Sequence, residues 1–535
     1  MSHPKCSRNY LGAAAAIISC LTMTGMALAE MSDSRISSLE TSQSPVWSGP
    51  ITRFDKLPGK IVLENTLKDG NFVPMRVTIP GDPAAAAPRL VPFGTNLLGA
   101  SSFRVFGQEE RVAAQDTADG LQAVCEAGSR PAGIVISIPS MHLPRQVTLS
   151  LRVEHTGSSG FELRVIHPSG SEKTLAALPL GSSSHVQFEG PEWSAEPLPI
   201  EFVLLCPDDG GDVSLASIEL DAPNGTHRKT DNAIWLWTTK EALDQNLAKN
   251  IKGDGIRRIY LQLSVAEGVV QDKTALSAML IAMKSEGIDV VPVEGDPRMV
   301  LPDGRKHALQ RLEAIVEFSR SLPENLRFRT IQYDIEPYLL DEFGEDPEAI
   351  WAAWASTVES LASAWGNKIE IVVPFWMQAS PNAAAALDKS ASSIGGITVM
   401  AYRTAPDGVL AAAEPWLAWG SRTETPVRVA LENGPIDPEL HQVFRRAETG
   451  TLAIPTGGSP DRAYLFTNPV DASPNVAVYD LSHSTTIFPE RISFLGDKRR
   501  MIRAASGVVE PLSAWESFRG FAFHDFLSGK TLSKF

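Results

Sequence analysis

Two carboxylates stand two residues apart in Gln332-Tyr333-Asp334-Ile335-Glu336, where polar and other residues alternate. Side chains alternate across an extended strand, so Gln332, Asp334 and Glu336 share one face while Ile331, Tyr333 and Ile335 share the other. Acids at i and i+2 lie about 6–7 Å apart, close enough to couple their titrations. One then holds a proton near neutral pH and the other stays ionised. A protonated carboxyl beside a carboxylate suits general-acid attack on a glycosidic oxygen. The competing reading is a structural pair held by Arg403 or Arg329.

More polar and aromatic groups end other apolar runs: Glu294-Gly295-Asp296-Pro297, Pro374-Phe375-Trp376, Met400-Ala401-Tyr402-Arg403, Glu432-Asn433-Gly434 and His524-Asp525. Glu432 fits three roles: nucleophile, substrate contact, or ion-pair partner of Arg403 or Arg428. Asp296 fits a substrate hydroxyl or a cap on the turn with Pro297. Trp376, Tyr338, Trp235 and Trp237 offer flat faces on which pyranose rings stack, with His524 and Arg403 as hydrogen-bonding neighbours. Trp351, Trp354, Trp416 and Trp419 have helical spacing and read as packing. Asp296, Asp334, Glu336, His524 and Asp525 also admit a metal-dependent hydrolase, but no HxH or HExxH spacing accompanies them. No GxSxG elbow occurs. No cofactor and no resident metal is expected.

The elements that must carry these groups alternate in type. Strand-like runs at 233–237, 258–264, 289–293, 328–334, 370–375, 397–401, 427–431 and 520–523 are separated by helix-like segments, the pattern of parallel βα units. Eight such units predict a (β/α)₈ barrel over 226–535, whose chemistry sits at the C-terminal ends of its strands. The first strand leads into Trp237-Thr238-Thr239-Lys240 with no GxGxxG, which disfavours an open dinucleotide-binding sheet. A long insertion at about 437–495 separates the seventh and eighth strands, with strand-like runs at 444–454 and 463–466. Its length suits a cleft wall or lid, or docking on the β-sandwich.

The Gln332–Glu336 ladder resembles the end of the DxxDxDxE motif of glycoside hydrolase family 18, the chitinase-like barrels. Met400-Ala401-Tyr402 is similar to that family's M-x-Y element. The resemblance implies Glu336 as general acid, Asp334 orienting a substrate N-acetyl group, and Tyr402 holding the acetamido oxygen. The motif's earlier acids are replaced by Gln332 and Arg329, and Arg403 stands where an Asp follows the Tyr. The resemblance therefore implies a glycosidase-type barrel more firmly than chitin as substrate. An acid on the fourth strand with Glu432 on the seventh also resembles retaining barrels that form a covalent intermediate. The different-class alternative is a barrel that binds glycan without cleaving it, in an exopolysaccharide or cell-envelope system.

Upstream, alternating runs such as 145–153, 161–165 and 213–220 are broken by Gly, Pro, Ser and Asp. They predict an antiparallel, jelly-roll-like β-sandwich over 30–225, either a glycan-binding module or a structural spacer. Trp47 and Trp193 read as platforms or as packing. Residues 1–29 read as a secretory signal, with basic Lys5 and Arg8, a short apolar stretch and Ala27-Leu28-Ala29. Ile17-Ile18-Ser19-Cys20 also resembles a lipobox, so the expected location is periplasmic or secreted, with anchoring through Cys20 as the alternative. Cys125 and Cys206 remain after the signal, as one disulfide or two buried thiols.

The chain of 535 residues carries 48 Lys+Arg against 63 Asp+Glu, a net charge of −15 that disfavours a nucleic-acid partner. The expected partner is a polysaccharide, and no later stretch is long and apolar enough to span a bilayer.

Overall fold

Eight parallel strands close into a barrel in sequence order: β1 (Asn232–Leu236), β2 (Ile256–Leu261), β3 (Asp289–Glu294), β4 (Gln332–Tyr333), β5 (Ile369–Pro374), β6 (Ile394–Met400), β7 (Val427–Glu432) and β8 (Phe518–His524). The computed structural model describes residues 44–50, 57–68, 70–78, 96–107, 111–144, 146–156, 160–166, 172–178, 184–189, 198–221, 230–244, 246–344, 346–456 and 462–527. The signal with Cys20, residues 222–229 around the expected domain boundary, and Trp193 lie outside them.

Strand β4 is shorter than the expected 328–334. Its neighbours pair with it over Gln332 and Tyr333 only. Single bonds carry the extended path further, from Glu370 N to Ile331 O and from Asp334 N to Glu294 O, each 2.8 Å. The alternation therefore holds through the acid pair. Ile331, Tyr333 and Ile335 join the apolar layer under the helices. Gln332 is fully buried inside the barrel, accepting from Trp235 Nε1 at 2.8 Å and donating to Thr398 Oγ1 at 3.1 Å.

An inner apolar layer of Ala233, Tyr260, Val291, Val293, Val372, Met400 and Ala430 fills the middle of the barrel. Side chains, not a pore, occupy such a centre. The opposite end is closed by ion pairs. Arg258 bonds Glu370 at 2.7 Å and Asp289 at 2.9 Å, and Arg428 bonds Asp231 at 2.6 Å. Burial opposes the charge on Arg258, but Glu370 and Asp289 override it and raise its pKa. Tyr260, buried and donating to Glu370, is pushed up to about 12. Arg428 is thereby committed far from Glu432.

Long helices Pro302–Ser321, Pro347–Trp365 and Pro406–Thr423 pack outside. The second is capped by Asp346, whose side chain accepts from Ala349 N, and stops at Gly366 with φ 81°, a conformation that suits glycine. Trp351, Trp354, Trp416 and Trp419 are buried in this layer, as their spacing predicts. No helix among the described residues is long and apolar enough to cross a membrane.

Two five-stranded antiparallel sheets precede the barrel, in the orders 172–178, 161–166, 198–205, 133–141, 102–106 and 184–189, 146–155, 211–221, 120–125, 112–117. Ile136 and Phe202 of one share an apolar cluster with Leu149 and Ile218 of the other. Cys125 and Cys206 are joined as a disulfide, tying the end of a strand in one sheet to the residue after a strand in the other.

The expected division of the chain changes at its start. Trp47–Pro50, Lys60–Lys68 and Asn71–Thr78 do not extend those two sheets. They pair with four insertion strands, Glu439–Ala447, Thr449–Pro455, Arg462–Asp471 and Val476–Ile487, in one seven-stranded sheet. Register runs from Lys60↔Arg445 to Thr66↔Glu439. The insertion is thus a β-sheet built jointly with the N-terminal strands, not a loop with two short strands. Trp47 packs against the core of that sheet.

Candidate active site

Strand alternation aims Asp334 and Glu336 into the mouth above Gln332. Glu336 precedes the 3₁₀ turn Pro337–Leu339, and Tyr338 in that turn donates its hydroxyl hydrogen to Glu336 Oε2. Tyr338 meets Trp376, at the end of β5, edge to face with centroids 5.0 Å apart. Burial, followed by the negative charge of Asp334, holds the Glu336 carboxyl well above the usual range, although the Tyr338 bond pulls the other way. Burial also pushes Asp334 up to about 6, partly offset by the nearby His524. Glu336 is therefore the acid of the pair at neutral pH and Asp334 its carboxylate. Asp334 Oδ1 is buried with no hydrogen-bond partner among the described residues.

Across the mouth, parallel pairing of β7 and β8 sets Glu432 opposite His524 in register. The contact from His524 Nδ1 to Glu432 Oε2 is 2.8 Å. Glu432 is 1% exposed, and its other oxygen accepts from Gly434 N at 2.5 Å. Oε1 is thus hydrogen-bonded, while Oε2 is within ion-pair distance of His524 without a hydrogen bond among the described residues. A Cβ at Gly434 would stand 2.9 Å from Glu432 Oε1 and 2.9 Å from Asp525 Oδ2, so glycine lets the amide approach.

The indole of Trp237 donates to His524 Nε2 at 3.0 Å. An acceptor at Nε2 defines the neutral ring with its proton on Nδ1, facing Glu432. Burial works against a second proton, but Glu432, with Asp525 and Asp334, outweighs it and raises the His524 pKa. Protonating Nε2 costs the Trp237 bond. Tyr402 lies between the two acidic groups. Burial, then Glu432, Asp334 and Glu336, raises its phenol well above the ordinary value. Its ring stands 6.4 Å from that of His524.

Asp334, Glu336, Tyr338, Trp376, Tyr402, Trp237, His524 and Glu432 therefore form one contiguous mouth. Asp296 is spent on its turn, accepting from Arg298 N at 2.8 Å as the cap of Pro297–Val300. Glu294 is likewise structural, paired through both oxygens with Arg311 at 2.7 Å. Arg403 does not pair with the acids. Its guanidinium lies 4.4 Å from the Phe375 ring centroid and donates to Tyr402 O at 2.7 Å. Arg329 takes no part in the site, so neither proposed cationic partner neutralises the acid pair.

Among the described residues, no three His, Cys, Asp or Glu side chains gather as a metal site. The Gly434 amide and the Trp235–Gln332–Thr398 support beneath the acids escape sequence reading, because no local pattern marks them.

No protein-family model matches the chain, and no curated protein matches it in sequence. The structure is similar to a mutant of Xylanase10C from Cellvibrio japonicus in complex with xylopentaose, at 10% identity over 63% of this chain and 78% of that one, with TM-score 0.26. It is also similar to the spore cortex-lytic enzyme SleL of Bacillus megaterium QM B1551, at 12% identity over 58% and 73% of the two chains, TM-score 0.31. TmCBM61 in complex with β-1,4-galactotriose matches 24% of this chain and 98% of its own, at 12% identity and TM-score 0.19. Scores this low carry no functional argument; the residues of the mouth do.

Proposed function

We propose that the protein is an exported glycoside hydrolase that cleaves a polysaccharide at the C-terminal mouth of its barrel. The observation that carries this reading is the Asp334–Glu336 pair at the barrel mouth, with Glu336 buried, Asp334 Oδ1 enclosed without a hydrogen-bond partner among the described residues, and Tyr338 and Trp376 beside them. Glu336 donates its proton to the glycosidic oxygen as the C–O bond breaks. The unpartnered Asp334 Oδ1 suits the N–H of an acetamido group, which favours an amino-sugar at the cleaved bond. The acetamido oxygen then attacks the anomeric carbon, with the Tyr402 hydroxyl beside it. Water completes hydrolysis, and the Glu336 carboxylate takes its proton.

Glu432 has a positioning role in this scheme, because one oxygen is held by Gly434 N and the other lies within ion-pair distance of His524 Nδ1. It orients His524, which in turn holds Trp237 as part of the sugar-binding wall. The Cys125–Cys206 disulfide and the secretory signal support export, and the two five-stranded sheets are the enzyme's accessory module.

The test is release of reducing ends from polysaccharides. Glu336→Gln is expected to lower turnover about 10²–10⁴-fold while retaining glycan binding. Unchanged turnover in that variant would remove the acid assignment. Binding by both proteins with no turnover by either would make the barrel a glycan-holding module.

A further inference from the structure

The mouth has a cationic side that its acid chemistry does not use. Arg403 follows Tyr402 beyond β6, its guanidinium stacked 4.4 Å from the centroid of Phe375 at the end of β5. One of its N–H groups bonds Tyr402 O, and a guanidinium has five. The return segment of the insertion brings up a second cation. Arg491 O accepts from Thr404 N at 3.2 Å, and Glu490 O accepts from Thr404 Oγ1 at 2.5 Å. The same segment is bound to the end of β7, through Phe494 N to Glu432 O at 3.0 Å and Gly496 N to Asn433 O at 2.6 Å.

Neither Arg403 nor Arg491 has an acidic partner among the described residues, in a chain of net charge −15. Burial and the neighbouring Arg491 both lower the Arg403 pKa. Phe375 is the chain neighbour of Trp376, which packs on Tyr338, the hydrogen-bond donor to Glu336.

We propose that Arg403 and Arg491 form a subsite for a carboxylate-bearing sugar next to the bond that Glu336 cleaves. The inference rests on the glycoside hydrolase reading and deepens it by naming the substrate class. Two guanidinium forks bind a carboxylate through charge-assisted, paired hydrogen bonds. Arg403 lies on the β5–β6 side of the mouth, and the Arg491 backbone is bonded to Thr404 just beyond β6. Phe375 holds the Arg403 plane in place before substrate arrives.

The experiment uses the full-length Glu336→Gln protein, so that glycan is bound without turnover. Hyaluronan, polygalacturonate and glucuronoxylan oligosaccharides are titrated calorimetrically beside their carboxyl-reduced forms and neutral chitin oligosaccharides. At least one acidic glycan is expected to bind roughly tenfold tighter than its reduced form, with the preference fading as salt rises. Arg403→Gln and Arg491→Gln should each remove most of that preference and leave neutral binding intact. Arg491 is exposed, so its variant decides the matter if Arg403→Gln fails to fold. Equal binding of acidic and reduced forms, or a preference that survives both substitutions, overturns the subsite. Binding of no glycan at all would instead remove the glycoside hydrolase reading, and the subsite with it.

Discussion

Glu336 keeps its proton because it is buried beside a second carboxyl, and that arrangement has a thermodynamic cost. Asp334 titrates near 6 in the folded protein against an ordinary 3.8. Between those values the native state binds more protons than the unfolded chain, so stability falls as pH rises through the window. Asp334→Asn is therefore expected to raise the melting temperature at pH 7.5 and to change it little at pH 4, while lowering turnover. A melting temperature unchanged at both values would contradict the raised Asp334 pKa. Turnover itself should rise with pH near 6 as Asp334 ionises, then decline where Glu336 loses its proton. A rate profile flat from pH 5 to pH 7 would break the link between the pair and catalysis.

Strand ends decide which groups meet. Parallel register sets Glu432 beside His524, and the turn after β7 supplies the Gly434 amide. Gly434→Ala places a methyl within van der Waals radii of two carboxylates, so the turn must shift. The expected cost is about 1–3 kcal/mol of stability, read as a lowered urea midpoint. Turnover should fall with it, because Glu432 no longer orients His524. A variant with wild-type stability and turnover would show that the turn is tolerant and Glu432 is not a positioning group. The fourth strand makes a related point. Its alternation was legible in the sequence and survives in the structure, although paired strand geometry covers only Gln332 and Tyr333.

At the scale of the whole molecule, a disulfide and a shared sheet tie distant parts of the chain together. The Cys125–Cys206 disulfide closes a sequence separation of 81 residues, and its removal by Cys125→Ser with Cys206→Ser should cost about 2–4 kcal/mol. Equal unfolding midpoints for oxidised wild type and the double variant would refute that contribution. The seven-stranded sheet joins residues 47–78 to 439–487, so a chain lacking the first 78 residues leaves Glu439–Ala447 with an unpaired edge. Limited proteolysis should then cut within 439–487, and protection equal to the full chain would contradict the shared sheet.

What the sequence determined by itself was local. Period-two and helical patterns marked the barrel strands and the buried tryptophans, and alternation alone put Asp334 and Glu336 on the inner face. Those patterns depend only on neighbouring residues. They assigned Asp296 two roles and Glu432 three, because partners at long range leave no periodic trace. Only closure of the barrel placed His524 against Glu432, committed Arg428 to Asp231 and freed Arg403 from the acids. Only the pairing of the insertion with the N-terminal strands made one sheet of two remote segments. In both cases the deciding contacts lie far apart in the chain, and their geometry exists only once the backbone has closed around them.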